Sequence, residues 1–150
     1  RTWSRAVSLG AAWAWGGGLV AAAYLASALH GQAQLEVINY IEHYGLSRGL
    51  REDGRYERVS AHHSWNSNHA FGRLLLFELT RHSDHHYQAS RPYQVLRDLD
   101  EAPQMPAGYP AMMVLSMFSP IWFRVMNPRA ERTMLAHYDA VDPAAEASAA

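Results

Sequence analysis

From Ala6 to Leu29 the chain reads AVSLGAAWAWGGGLVAAAYLASAL, with no formally charged residue. At ~1.5 Å per residue such a helix exceeds the roughly 30 Å hydrocarbon core of a bilayer. A transmembrane helix over residues 6–30 is therefore predicted; the alternative is a buried helix of a soluble protein. Small residues, with Ser8 and Ser27, suit close helix packing in lipid. The triplet Gly16-Gly17-Gly18 is its weak point, because glycine disfavours helix and is better tolerated in lipid than in water. His30-Gly31 reads as a helix end or a kink. Leu35, Ile38 and Ile41 then keep an apolar spacing near three, which predicts a helix over 34–44 stopped by Gly45. Ser47–Ser60 is charged and holds Asp53-Gly54, the signal of a solvent-facing loop or hairpin. Ala61–Asn68 is polar and ends in turn or capping residues. A helix is expected from about His69 through Asp98, interrupted near Ser90-Arg91-Pro92 because proline disfavours helix before it. Pro103, Pro106 and Pro110 mark a connector. Ala111–Phe123 is apolar, broken by Pro120 and too short for a straight span, so it reads as a core or interfacial helix. Ala130–Ala140 reads as a last short helix and residues 141–150 as a frayed tail. The expected fold is all-α: a helical bundle with one transmembrane helix and a helical histidine-rich domain over residues 31–140.

With 150 residues the chain is long enough for one domain with its own core. Its net charge of −1 argues against nucleic-acid binding by bulk electrostatics. Cysteine is absent, which excludes disulfides, thiolate ligands, an iron–sulfur centre of its own and a Cys nucleophile. A redox metal here must use nitrogen and oxygen donors, with electrons brought by another protein. Arg1 and Arg5 precede the apolar stretch and Arg48 and Arg51 follow it, so charge alone leaves its orientation open.

The densest chemistry is Arg81-His82-Ser83-Asp84-His85-His86. On a helix His82, His85 and His86 stand at i, i+3 and i+4 and project from one face. Imidazole suits iron, zinc, copper or nickel. Asp84 turns roughly 100–200° away from the three rings. It is read as an acceptor for the N–H of a neighbouring imidazole, although a ligand or surface role also fits. Glu78, one turn before His82, is read either as such an acceptor or as a partner of Arg73 or Arg81. A second signal is Asn39-Tyr40-Ile41-Glu42-His43-Tyr44-Gly45-Leu46. Taken alone, His43 is either a ligand or a core or capping histidine, with Asn39, Tyr40 and Glu42 close enough in sequence to support its ring. His62 and His63 are adjacent and point apart, and His69 sits in a cap-like setting; none of the three is expected to ligate. His30 and His137 read as ordinary.

NYIEHYGL at Asn39–Leu46 and RHSDHH at Arg81–His86 resemble two signatures of the integral-membrane alkane monooxygenases, within the wider membrane desaturase and hydroxylase superfamily. DGRYE at Asp53–Glu57, HHSWNSNH at His62–His69, YQVLRDL at Tyr93–Leu99 and GYPAMM at Gly108–Met113 are similar to that family too. The resemblance covers roughly Gln34–Arg129. It implies a non-haem centre of two iron ions, with His43, His82, His85 and His86 as ligands; Asn39, Glu42, Asp84 and Glu78 are read from their positions as supporting them. It also implies hydroxylation of the terminal methyl of medium- or long-chain n-alkanes with O2, rubredoxin as electron donor, and a bacterial inner-membrane location with the histidine-rich part facing the cytoplasm. Arg48, Arg51, Arg55 and Arg58 are candidates for contacting an acidic donor, or a solvated loop. The family's two other histidine boxes are missing, so the resemblance implies a C-terminal piece of a longer protein that is inactive alone. The rival readings are a related fatty-acid desaturase, acyl hydroxylase or xylene monooxygenase, a structural zinc module, and a remnant that folds without metal.

Overall fold

The computed structural model describes residues 2–51 and 53–141, with side chains over 3–51 and 53–138. The expected frayed tail lies outside these residues, save for the backbone of Val141. Regular structure among the described residues is helical: α1 (Thr2–His43), α2 (Ala70–Leu75), α3 (His82–Tyr87), α4 (Tyr109–Ser116) and α5 (Ser119–Val141). Two 3-10 turns cover Ala61–His63 and Tyr93–Val95. Leu50 pairs with Tyr56, and Asn66 with Gln104, in isolated bridges. The chain divides between Val37 and Ile38 into two compact units.

In the first unit α1 is long and apolar enough to cross a membrane, by length and composition. It bends at the glycine triplet and not at His30-Gly31, which stays helical. Gly16 and Gly17 leave helical geometry, and Gly17 takes φ 66° with ψ −160°, a conformation open to glycine and costly for other residues. Arg5, Ala6 and Leu9 line one cavity of about 460 Å³ with Tyr24, Leu25, Ala28 and Leu29, so the chain folds back at this bend. Trp3, Trp13, Trp15, Leu19 and Leu29 remain exposed.

In the second unit α1 ends where Gly45 takes φ 69°, the left-handed geometry that commonly closes a helix. A Cβ at Gly45 would stand 2.6 Å from the Cβ of Ala130, so α5 also requires glycine there. Of the loop or hairpin expected over 47–60, the described residues form a hairpin: Arg51 N–H donates to the Arg55 carbonyl at 2.8 Å and Arg55 N–H to Asp53 Oδ1 at 3.1 Å.

The polar stretch Ala61–Asn68 is largely buried. His63, Ser64, Trp65, Asn66 and Ser67 are buried, and most of their polar groups bond inside the unit, while Ser64 Oγ and Asn66 Nδ2 do not. Trp65 N–H donates to the Glu42 carbonyl at 2.8 Å, and its indole to the Tyr44 carbonyl at 2.8 Å. The Asn66 backbone pairs with Pro103 and Met105, both at 2.8 Å, while its Oδ1 accepts Ser83 N–H at 2.8 Å.

The long helix expected over His69–Asp98 is replaced by α2, a reversal, α3 and a 3-10 turn. Phe77 and Glu78 take φ 52° and 62°. Left-handed geometry at non-glycine residues costs about 1–3 kcal/mol each. Opposing that cost, Arg73 donates twice to Glu78, at 2.8 and 2.9 Å, and Glu78 N–H bonds the Arg73 carbonyl at 2.9 Å. The reversal buries Thr80 and His82.

The two helices expected at the C-terminal side are α4 and a single α5. The break expected in Ala111–Phe123 falls at Met117-Phe118, and Pro120 stands in the first turn of α5, which its fixed φ suits. Pro128 lies inside α5, at the expense of one backbone rung. Tyr109 and Met112 of α4 meet Trp122, Met126 and Ala130 of α5 around Ile41, Trp65 and Met105. Spacings of three and four put these residues on one face of each helix. Truncating an indole such as Trp122 in this core costs about 3–5 kcal/mol. The opposite faces leave Val114, Met117, Phe118 and Ile121 exposed.

Candidate metal centre

α1 delivers His43 on its last turn, and α3 delivers His82 and His86 one turn apart. The ligand atoms of these three lie within 4.8 Å of one another. His82 Nε2 stands 3.3 Å from His43 Nε2 and 2.8 Å from His86 Nε2. Around a tetrahedral ion with bonds of about 2.0–2.1 Å, neighbouring nitrogens stand about 3.3 Å apart, so the cluster has the dimensions of a coordination sphere.

The opposite ring nitrogens decide which atom is free. His43 Nδ1 lies 3.3 Å from the His63 carbonyl oxygen. A carbonyl only accepts, so Nδ1 carries the proton and Nε2 presents a lone pair. His82 Nδ1 lies 3.3 Å from Glu42 Oε1, whose carboxyl burial pushes up to about 8, so this contact by itself does not select a His82 tautomer. Glu42 is fully buried, and both of these atoms lack a well-aligned hydrogen bond. The three Nε2 atoms face one another in one cluster, and a cation among them would be shared by all three rings. Burial, reinforced by His86, His43 and His85, pushes the His82 imidazole down to about 2, so it is neutral and able to donate to a metal. Burial and then His43 and His85 lower His86 as well. The donor set fits a first-row transition metal.

His85 shares the α3 face, but its ring centre is 5.8 Å from that of His82 and 5.9 Å from that of His86. It stands beside the convergent three and outside their cluster. Among the residues expected to support the ligands, Glu42 lies against His82. Asp84 is fully buried and bonds arginines: it accepts from Arg91 Nη1, from Arg97 N–H at 2.9 Å and from Arg97 Nη2 at 2.9 Å. Burial opposes the Asp84 charge, but the Arg97 side chain and backbone and then Arg91 outweigh it and lower the carboxyl pKa. Glu78 pairs with Arg73 and, at 3.4 Å, with Arg81. Asn39 is exposed. Asp84 and Glu78 thus fix the backbone that carries α3.

Three contributors had weak sequence signals. The His63 carbonyl is a backbone atom and leaves no trace in residue type. Arg97 lies thirteen residues beyond Asp84, out of reach of helical spacing. Tyr109, fully buried, places its hydroxyl against Glu42 and donates to the Trp65 carbonyl at 3.3 Å; burial and then the Glu42 charge hold its phenol well above the ordinary value. The remaining histidines lie outside the cluster: His69 Nδ1 meets Ser67 Oγ at 3.0 Å, and His30 meets Gln34 at 3.4 Å.

Fold and site together define a class: a helical protein whose imidazole cluster suits a first-row metal ion. The chain belongs to the fatty acid desaturase family, whose model matches residues 1–143. It is 54% identical over 127 residues to alkane 1-monooxygenase 1 of Pseudomonas aeruginosa, covering 84% of this chain and 33% of that protein. It is 51% identical over 126 residues to alkane 1-monooxygenase 2 of Alcanivorax borkumensis, covering 84% of this chain and 32% of that protein. A xylene/toluene monooxygenase hydroxylase component of Pseudomonas putida is 32% identical over 74% of this chain and 28% of its own length. The chain thus spans about a third of the length of the curated relatives it matches.

Proposed function

We propose that this chain is part of an integral-membrane, non-haem di-iron monooxygenase that hydroxylates the terminal methyl of medium- or long-chain n-alkanes. The observation that carries the reading is the convergence of His43, His82 and His86 through Nε2, in a chain more than half identical to a protein named alkane 1-monooxygenase. The lower identity to the xylene/toluene hydroxylase component makes an aromatic substrate the second choice. In this reading His43, His82, His85 and His86 hold iron, which when bound supplies the reductive O2 activation that an unactivated C–H bond needs.

The chain's own residues do the rest. The His63 carbonyl holds the proton of His43 on Nδ1, so that ring presents Nε2, and Glu42, 3.3 Å from His82 Nδ1, is the partner that a metal-bound His82 would use. Tyr109, with its hydroxyl against Glu42, and Trp65, whose N–H bonds the Glu42 carbonyl, are buried together with it. Asp84, bound by Arg91 and Arg97, anchors the helix that carries three of the four ligands. The exposed indoles and leucines of α1 suit contact with lipid, from which an apolar substrate is drawn. Residues 6–30 form the membrane segment and residues 31–140 part of the catalytic domain, on the cytoplasmic side of a bacterial inner membrane. Rubredoxin is the proposed electron donor, with the exposed Arg48, Arg51, Arg55 and Arg58 as its docking charges.

The test uses the full-length protein in detergent. His85→Ala is expected to abolish 1-alkanol formation and lower iron content, and His62→Ala to leave iron loading intact. Equal iron loss in both variants refutes the ligand assignment. Iron-loaded protein that forms no terminal alcohol from an n-alkane with O2 and reductant refutes the activity.

A further inference from the structure

Glu57, His63 and His137 form a second cluster that does not depend on the first. Their ligand atoms also lie within 4.8 Å of one another. They come from three separate segments: the hairpin, the first 3-10 turn and α5. His63 Nε2 is 3.0 Å from Glu57 Oε1, and His137 Nε2 is 3.7 Å from Glu57 Oε2. Donors around a tetrahedral ion with bonds of about 2.0–2.2 Å stand about 3.3–3.6 Å apart, and the two observed separations bracket that range.

His137 Nε2 is buried without a hydrogen-bond partner, and its side chain is 9% exposed. At 3.7 Å the carboxylate oxygen it faces is too far for a hydrogen bond and well placed to share an ion. The carboxylate is already aimed, since Gly49 N–H donates to Glu57 Oε1 at 2.7 Å. Two imidazoles and a carboxylate are a set that zinc takes with its fourth position open. His137 also lines a cavity of about 280 Å³ with His62, Glu101 and Thr133, which has room for a water ligand.

The protons balance. Without an ion, His63 Nδ1 accepts Ser60 N–H at 2.9 Å, so the ring proton sits on Nε2 and is donated to Glu57. An ion at Nε2 moves that proton to Nδ1, where Ser60 Oγ, 3.0 Å away, becomes its acceptor. Such a partner is what a metal-bound imidazole ordinarily has. The Ser60 N–H loses its partner in the exchange, so the ion's bonds must offset that hydrogen bond and the unpaired donor it leaves.

We infer that Glu57, His63 and His137 bind a zinc ion that staples the hairpin and the Ala61–His63 turn to α5.

The experiment dialyses the iron-loaded full-length protein in detergent against Zn2+ and counts metals by mass spectrometry. The expected result is one zinc fewer per chain in His137→Ala, and again in Glu57→Ala, with iron content unchanged. The loss of affinity should exceed the roughly 10–100-fold that removal of an outer partner costs. An equal zinc count in parent and variants overturns the inference, as does iron in place of zinc at this position. Should either variant fail to fold, hydrogen exchange of the unaltered protein decides: added Zn2+ is expected to slow exchange in residues 57–63 and 133–141, and no change there overturns the site.

Discussion

Gly45→Ala places a methyl group where two constraints meet. The position has φ 69° and the new Cβ meets the Ala130 Cβ at 2.6 Å. Left-handed geometry costs an L-residue about 1–2 kcal/mol. The contact is between Cβ atoms, which no rotamer change can relieve, and overpacking of this kind costs about 1–3 kcal/mol. The variant should therefore be destabilised by about 2–5 kcal/mol. Ala130→Gly separates the two terms. Alone it loses roughly 1 kcal/mol of helix propensity and about 0.8 kcal/mol of buried methyl. Combined with Gly45→Ala it removes the clash and leaves the φ penalty, so the double-mutant cycle should show a favourable coupling of about 1–3 kcal/mol. Chemical unfolding in detergent micelles, followed by near-UV circular dichroism, reads all four corners of the cycle. Because His43 is two residues from Gly45, metal loading should fall in the single variant and recover in the double. A single-variant cost below about 1 kcal/mol, or a coupling near zero, refutes the claim that α5 and the turn jointly require glycine.

Other outcomes follow from the same geometry. Glu42→Gln removes the carboxylate beside His82 and should weaken metal binding by roughly 10–100-fold, read by chelator competition; unchanged affinity would show that Glu42 does not steer the ring. Asp84→Asn should lower metal loading through loosening of α3, with faster hydrogen exchange in His82–Tyr87; rapid exchange elsewhere with α3 unaffected would count against its anchoring role. Glu78 is held below the ordinary carboxylate range, with Arg73 hydrogen bonding outweighing burial and Arg81 adding to it. Its contribution is therefore complete above the unfolded pKa and lost as pH falls through the lowered folded value. Since both side chains are partly exposed, Glu78→Gln should cost about 1 kcal/mol at neutral pH, and the gap to the parent should close in acid; a gap that is constant with pH contradicts the pairing.

Pattern alone determined the elements whose cause is local. Uncharged residues from Ala6 to Leu29 require an apolar helix wherever the chain places it, and the glycine triplet weakens that helix at one point. Gly45 as a stop and Asp53-Gly54 as a turn were readable because positive φ selects residue type directly. The spacing of His82, His85 and His86 fixed their shared helical face, and the NYIEHYGL wording marked His43. Tertiary structure decided what depends on residues far apart in sequence. The reversal at Phe77-Glu78 carries no glycine signal; it is held by the Arg73 fork and by the burial of Thr80. Asp84 looked outward from a helix and proved fully buried, because Arg91 and Arg97 return from a later loop to neutralise it. The break expected near Pro120 falls at Met117-Phe118, and Pro120 and Pro128 both lie within α5, whose face packs against Ile41 and Trp65. His85 left the convergent cluster that its spacing implied, while His137, ordinary in sequence, faces Glu57 across 80 residues. Periodicity reports which way a side chain leaves its own helix; only the fold reports what it meets there.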